Sequence, residues 1–417
     1  RQLEVTLTKF KKLSNSQIIA LSATIGNAHL LSKWLEAELV ESTWRPVILK
    51  EGVFLNGVIY YADNSQKSIK AITGDPIGDL VLDSLREGGQ VLIFVNNRRR
   101  SMSLAQKIAN LVGTRLKESS KRTLMELAYS ITRESRDEIS LRLAECLKKG
   151  VAFHHAGLSH FSRRLVEKAF RNRIIKVVVA TPTLAAGVNL PARRVVIADY
   201  KRYNSEIGFY ENISVIDYKQ MCGRAGRPLY DPYGEAILIA KNFRELEFLF
   251  EEYIEAKPED ISSKLASESA LRVHVLALIA SETIKTIEDL ISFFSLTFYA
   301  QEYPIETITP RLQEVIQLLS YNNLVYLEDD FLKATPLGKR VSELYIDPYT
   351  AVILLKGLDH VKKEPLRALY IIAKTPDMTK FYLRRSEYKI IEKWIEKHED
   401  VICKEDLYDL YDYEMFL

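Results

Sequence analysis

The chain has 417 residues, 47% of them hydrophobic and 27% charged, enough to fold around real cores in roughly two to four domains of about 150 residues each. Lysine and arginine total 58 against 55 acidic residues, so a net charge of +3 argues against a globally basic nucleic-acid binder and leaves that role to local clusters such as Arg98-Arg99-Arg100 and Arg163-Arg164. Cys146, Cys222 and Cys403 are too far apart for a zinc ribbon or disulfide framework, and no signal peptide or membrane-length apolar run is visible, so the expectation is a soluble protein of a reducing cytoplasm.

In chain order, residues 18–24 predict a short buried strand ending in hydroxyls, and Asn27 is placed to cap a helix through Trp34 and Leu35. This reads as the last strand-helix unit of a domain. The pattern changes near Pro46, the expected crossing into a second domain. There an apolar, β-branched run followed by polar residues and a helix recurs: Val91-Leu92-Ile93-Phe94-Val95 before Asn96-Asn97-Arg98, Val151-Ala152-Phe153 before His154-His155-Ala156-Gly157, and Val177-Val178-Val179-Ala180 before Thr181-Pro182-Thr183. Val195–Ala198 and Ala236–Ile239 predict two more strands. Such alternation implies an α/β domain with a parallel sheet covered on both faces, with ligands gathering outside the carboxyl ends of the strands. After about Phe250 the strand signal fades. Leu271, Val275 and Leu278, and Leu312, Val315, Ile316 and Leu319, follow a helical period, and residues 324–334 read as a hairpin turning at Asp329-Asp330. Helices followed by a hairpin suggest a winged helix. From Pro348 onward the chain reads as helix.

The most informative segment is Gln220-Met221-Cys222-Gly223-Arg224-Ala225-Gly226-Arg227. If helical, it places two arginines one turn apart, and guanidinium forks suit triphosphate oxygens better than ammonium groups do. Such a pair can act as an arginine finger; a structural pair bonding backbone carbonyls is the alternative. No Gly-x-x-x-x-Gly-Lys-Ser/Thr loop and no strand-borne acidic cluster for magnesium occurs, and the first residue is Arg1, so a fragment of a larger machine is expected. Thr181-Pro182-Thr183 suits a helix start that offers amides and hydroxyls to phosphate.

Ser22-Ala23-Thr24, residues 94–98, residues 154–158, residues 181–191 and the arginine segment occur in the order of motifs III, IV, IVa, V and VI of superfamily 2 helicases. The chain resembles the archaeal Hjm type of DNA helicase and is similar to the helicase domain of DNA polymerase theta. The resemblance implies residues 1–45 as the tail of a first RecA-like domain and 46–254 as the second RecA-like domain. Residues 255–345 would then be a winged helix, and 346–417 the start of a helical ratchet bundle. Motifs Q, I, Ia, Ib and II are absent from the sequence.

Carried over by motif, Arg224, Arg227 and Gln220 would face a nucleotide held mainly by the first domain, and Gly187 and Asn189 would contribute at the same cleft. ATP and Mg2+ are the implied cofactors. Ser22 and Thr24 would couple nucleotide to strand, unless they are a simple helix entry. Asn96, Asn97, Arg98, His155, Gly157, Thr181 and Thr183 would grip phosphates without reading sequence; Arg99 and Arg100 could equally be a solvated helix face. Between motifs V and VI, Ile207, Phe209 and Tyr210 would sit on a strand-separating hairpin, the alternative being packing against the winged helix. Lys339 and Arg340 lie where a wing could touch duplex. His154, His155 and His160 lack the companions a metal site requires. The implied activity is ATP-dependent 3′-to-5′ unwinding of forked or branched DNA in repair, recombination or replication restart, and the fragment by itself should be inactive. Single-stranded and forked DNA, a Holliday-junction resolvase and a sliding clamp are the implied partners, with no membrane, in a cytoplasmic, nucleoid-associated archaeal setting. An RNA helicase of a related family, or a catalytically inactive nucleic-acid-binding adaptor, are the alternatives.

Overall fold

The computed structural model describes residues 1–22, 25–42, 44–116, 118–182, 184, 190–204, 209–361, 365–378 and 387–398. Within the larger lobe, β1 (Ile48–Leu55), β2 (Val58–Tyr61), β3 (Gln66–Ser68), β4 (Val91–Phe94), β5 (Val151–His154), β6 (Val177–Ala180) and β7 (Arg194–Ile197) are followed by a separate hairpin of β8 (Lys201–Asn204) and β9 (Phe209–Asn212), then by β10 (Tyr233–Ile239). Among the described residues the main sheet has eight strands in the order β3-β2-β1-β10-β7-β4-β6-β5. From β1 to β5 every neighbouring pair is parallel, while β2 and β3 form an antiparallel edge. Strands β4, β5, β6 and β7 are buried along their whole length, as expected when helices cover both faces and β-branched residues fill the pleats. The five expected strands of this lobe are therefore present; the β1–β3 meander was not anticipated, because its alternating and charged residues carry no continuous apolar signal.

An ion network that the sequence does not announce sets the register of β7 against β10. Arg194 and Glu235 face each other across the two strands and are both fully buried, with Nη2 and Oε2 2.7 Å apart. Arg194 also reaches Asp83 at 2.8 Å, and the Tyr61 hydroxyl donates to Glu235. A one-residue slip would strand these charges, whereas a purely apolar strand pair would tolerate it better.

A second core lies under helices Glu268–Ala280, Ile287–Ser295, Ile305–Tyr321 and Pro336–Leu344 and the hairpin of β11 (Val325–Glu328) and β12 (Phe331–Ala334). The hairpin turns at Asp329-Asp330, with Asp329 at φ +51°. Leu271, Val275, Leu278, Leu312, Ile316, Leu319, Val325 and Leu332 meet in its interior. Helices Pro348–Val361, Pro365–Ala373 and Tyr388–Lys397 continue the chain.

The N-terminal segment differs from expectation. Residues 14–22 form no strand, and Ile19 and Leu21 are 77% and 95% exposed. A strand buried on both faces needs neighbours to share its ladder, and among the described residues none pairs with this one. The helix Ala28–Leu35 forms as expected, but Asn27 makes no side-chain cap to it: its amide instead bonds both the N–H and the carbonyl of Ile261 at 2.9 Å. Helix Gln2–Leu13 contributes Val5 to the second core, and the Glu4 carboxylate accepts from Ser263 Oγ and the Tyr299 amide, each at 2.8 Å.

Candidate nucleotide and strand site

At the carboxyl ends of β1, β4, β7 and β10 lies a cleft of about 910 Å³, lined by Phe54, Asn96, Arg100, Asp199, Lys201 and Tyr210 among others. Asn97 occupies the N-cap of helix Arg98–Gly113 and accepts from the Arg100 amide at 2.8 Å, which keeps the turn after β4 tight. Asn97 and Arg98 are exposed, as phosphate contacts require. Asn96 is half-buried and committed within the fold: its amide N–H donates to Asp199 at 3.1 Å and its side chain donates to the Lys201 carbonyl at 3.1 Å. It ties the hairpin base to β4 and so positions that element. Arg100 pairs with Asp199 at 2.6 Å.

The β5 loop brings Gly157 beside Arg98, since a Cβ at Gly157 would stand 3.5 Å from Arg98 Nη1 and 3.0 Å from His155 Nδ1. His155 itself is 1% exposed, stacks on Phe153 with ring centroids 5.5 Å apart, and accepts from the Gly157 amide at 3.1 Å. Burial, then the neighbouring Arg98 and His154, push its pKa down to about 4. In this structure the ring is enclosed and shapes the loop through the Gly157 amide, rather than facing solvent. His154 bonds Glu167 at 3.0 Å, and burial still holds it below the ordinary histidine value. Among the described residues no cluster of three or more potential ligands could hold a metal ion. Thr181 is buried, its amide donating to the His154 carbonyl at 3.1 Å. Thr183, Gly187 and Asn189 lie outside the described residues, as do Thr24 and Ile207; Ser22 is exposed.

The arginine segment departs from a continuous helix. Helix Val215–Cys222 carries Gln220, half-buried, and stops at Gly223. The chain then crosses beside Ala192, whose amide donates to the Arg224 carbonyl at 2.9 Å and whose carbonyl accepts from Gly226 at 2.7 Å. Gly226 has φ +93° and no room for a side chain, a Cβ falling 2.7 Å from Val47. This turn separates the two arginines. Arg224 is half-buried, and burial pulls its pKa below the ordinary arginine value. Arg227 is 6% exposed, with Nε and Nη2 each 2.7 Å from the Asp231 carboxylate and Nη1 2.6 Å from Gln90 Oε1. Gln90 immediately precedes β4 and Asn96 follows it, so Arg227 and Asn96 lie at opposite ends of that strand. The expectation of two arginines facing outward together is thus corrected. Arg227 is spent inside its own lobe, because the left-handed turn at Gly226 and the following Pro228 end the helical path that would have aligned them.

The hairpin that follows β7 pairs Lys201 with Asn212 and Tyr203 with Tyr210. Phe209 and Tyr210 are 72% and 67% exposed, and Tyr203 stands edge-on to Tyr210 at 5.4 Å. Both rings are largely solvent-exposed among the described residues. The result is a short hairpin, tied to β4 through Asn96, that exposes two aromatic faces to solvent. As for the implied nucleotide, Gln220 and Arg224 are both half-buried, at and just beyond the end of one helix, and the described residues supply no acidic metal-binding set.

Residues 106–228, from within helix Arg98–Gly113 through the arginine segment, match the helicase conserved C-terminal domain. The lobe therefore contains the RecA-like C-terminal domain of a helicase. The chain is 46% identical over 402 residues to the ATP-dependent DNA helicase Hel308 of Methanocella arvoryzae, covering 95% of this chain and 54% of that protein. It is 40% identical to the Hel308 proteins of Pyrobaculum calidifontis, over 94% of this chain and 56% of the relative, and of Pyrococcus horikoshii, over 94% and 53%. The chain is a homologue of archaeal Hel308-type superfamily 2 DNA helicases, and it spans about half the length of the relatives it matches.

Proposed function

We propose that the full-length protein is an ATP-dependent 3′-to-5′ DNA helicase acting on forked or branched DNA in repair, recombination or replication restart, and that this chain supplies its second RecA-like lobe and winged helix. The observation that carries the reading is the exposed aromatic hairpin set between β7 and the arginine segment of a helicase C-terminal domain. When bound, ATP with Mg2+, held mainly by a first RecA-like domain, supplies phosphoryl-transfer chemistry. Arg224 stabilises negative charge developing there, with Gln220 beside it. Arg227, through Asp231, holds the turn that aims Arg224. Gly187 and Asn189 relay nucleotide state to strand grip, and Ser22 and Thr24 couple the lobes. Asn97, Arg98, the Gly157 segment and Thr183 hold strand phosphates, with the buried Thr181 fixing the turn that presents Thr183, while Asn96 anchors the hairpin whose Phe209 and Tyr210, with Ile207, meet the duplex junction. The setting is cytoplasmic and nucleoid-associated, with single-stranded and forked DNA as partner and a Holliday-junction resolvase and a sliding clamp as protein partners.

Arg224→Ala in the full-length protein lowers strand-stimulated ATP turnover by roughly a thousandfold, the scale of an arginine finger, with strand binding kept. Near-normal turnover would remove Arg224 from the site. Unwinding of matched DNA and RNA duplexes by the wild type separates a DNA from an RNA helicase, and absence of any strand-stimulated hydrolysis would favour a binding adaptor.

A further inference from the structure

The stretch Pro258–Ile261, which leads from the sheet lobe into the helical domain, is clasped from two sides. On one side, the Gly26 amide donates to the Glu259 carbonyl at 3.2 Å, and the buried Asn27 side chain bonds both backbone groups of Ile261 at 2.9 Å. The contact is close enough to demand glycine: a Cβ at Gly26 would fall 2.3 Å from Asp260 Oδ1 and 2.7 Å from the Pro258 carbonyl. On the other side, the Glu259 carboxylate accepts from the amides of Val215 and Ile216 at 2.6 and 2.9 Å. Ser214 Oγ takes the next amide, Asp217, at 3.0 Å. Three of the free N–H groups at the start of helix Val215–Cys222 are thereby satisfied, with a carboxylate at its positive end. These bonds outweigh the effect of burial, which acts in the opposite direction, and hold the Glu259 carboxyl below its ordinary range.

That helix carries Gln220 and ends at Cys222, two residues before Arg224, and the chain just beyond its far end is held by the bridge between Ala192 and Ala225. An eight-residue helix is a stiff rod, so a displacement of its capped end is delivered to the arginine turn. Resting on the helicase reading above, we infer that Glu259 is a positioning residue. It links the Gly26–Asn27 segment, just beyond Ser-Ala-Thr, to the arginine turn through the strap between the lobe and the winged helix. Nucleotide-dependent movement of the first segment then reaches Arg224 by this route, in addition to any contact across the nucleotide cleft.

The test uses the full-length protein and the variants Glu259→Ala, Glu259→Gln, Asn27→Ala and the Glu259→Ala/Asn27→Ala double. Strand-stimulated kcat for ATP falls on the order of tenfold to a hundredfold in Glu259→Ala, the range expected when a charge-stabilising group is misplaced by about 1 Å. KM for ATP and the thermal midpoint stay close to wild type, and Glu259→Gln, which keeps one acceptor, recovers part of the loss. The double variant loses little beyond the worse single, because both act on one connection. Hydrogen exchange provides a readout independent of catalysis: Asn27→Ala accelerates exchange of the Val215 and Ile216 amides although it does not touch them. Additive kinetic losses, a kcat that falls only in step with the thermal midpoint, or unchanged amide exchange in Asn27→Ala would overturn the inference. A wild type without ATP turnover would instead overturn the helicase reading and leave the exchange result to decide this one.

Discussion

His155 shows how far burial can turn a residue's chemistry away from its type. In a row of polar residues after a strand it reads as a phosphate ligand; enclosed against Phe153 it is a neutral acceptor for a backbone amide. His274 is also buried, and burial, the first cause, with nearby positive charge that includes Arg1 and Lys9, pushes it down to about 4. Both rings carry an ordinary value near 6.5 when unfolded. Between those limits the unfolded chain binds more protons than the folded one, so stability rises with pH. The contribution is complete above about pH 6.5 and is lost as the pH falls toward 4. The thermal midpoint accordingly drops between pH 7 and 4.5, and the drop is shallower in a His155→Gln/His274→Gln variant. An identical slope in that variant would show that neither ring titrates abnormally. The same logic applies to Arg227, where the type suggests a finger and the bidentate Asp231 makes it a brace.

At the scale of elements, the hairpin β8–β9 and the arginine helix were both visible in the residues, but to different depths. The hairpin's aromatics are read from the residues as a strand-separating element; in the structure Phe209 and Tyr210 are 72% and 67% exposed, and Ile207 lies outside the described residues. On the proposed function, replacing both aromatics by alanine in the full-length protein is expected to leave strand-stimulated ATP turnover within about twofold while reducing duplex unwinding at least tenfold, since stacking on a base is worth roughly 1–3 kcal/mol. Parallel loss of both activities, measured on the same preparation, would assign the rings a packing role. The helix was read one turn too long because Gly223 and Gly226 are tolerated by a periodic pattern that counts small residues as helical spacers. The parallel strands β4, β5, β6 and β7 were legible as continuous apolar runs. The β1–β3 edge was not, its burial depending on partners rather than on its own composition.

Across the whole molecule, the N-terminal helices are joined to the helical domain more than 200 residues away in sequence. Trp34 donates to the Leu296 carbonyl at 2.9 Å and sits 5.6 Å from the Phe298 ring, 6% exposed. Trp34→Ala removes a buried aromatic and is expected to cost about 3–5 kcal/mol of stability, read as a lower denaturant midpoint. A change under about 1 kcal/mol would mean that this docking is dispensable, as for surface substitutions. Residues by themselves identified the α/β lobe, the strand order of its motifs along the chain, the following helices and hairpin, and the helicase kinship, because periodicity and motif spacing are local properties. Which polar residues face solvent, which arginine is held within its lobe, and that a glutamate beyond the sheet caps the arginine helix were decided by tertiary structure. Those outcomes depend on burial and on contacts between distant segments, and neither is encoded by any one stretch of chain.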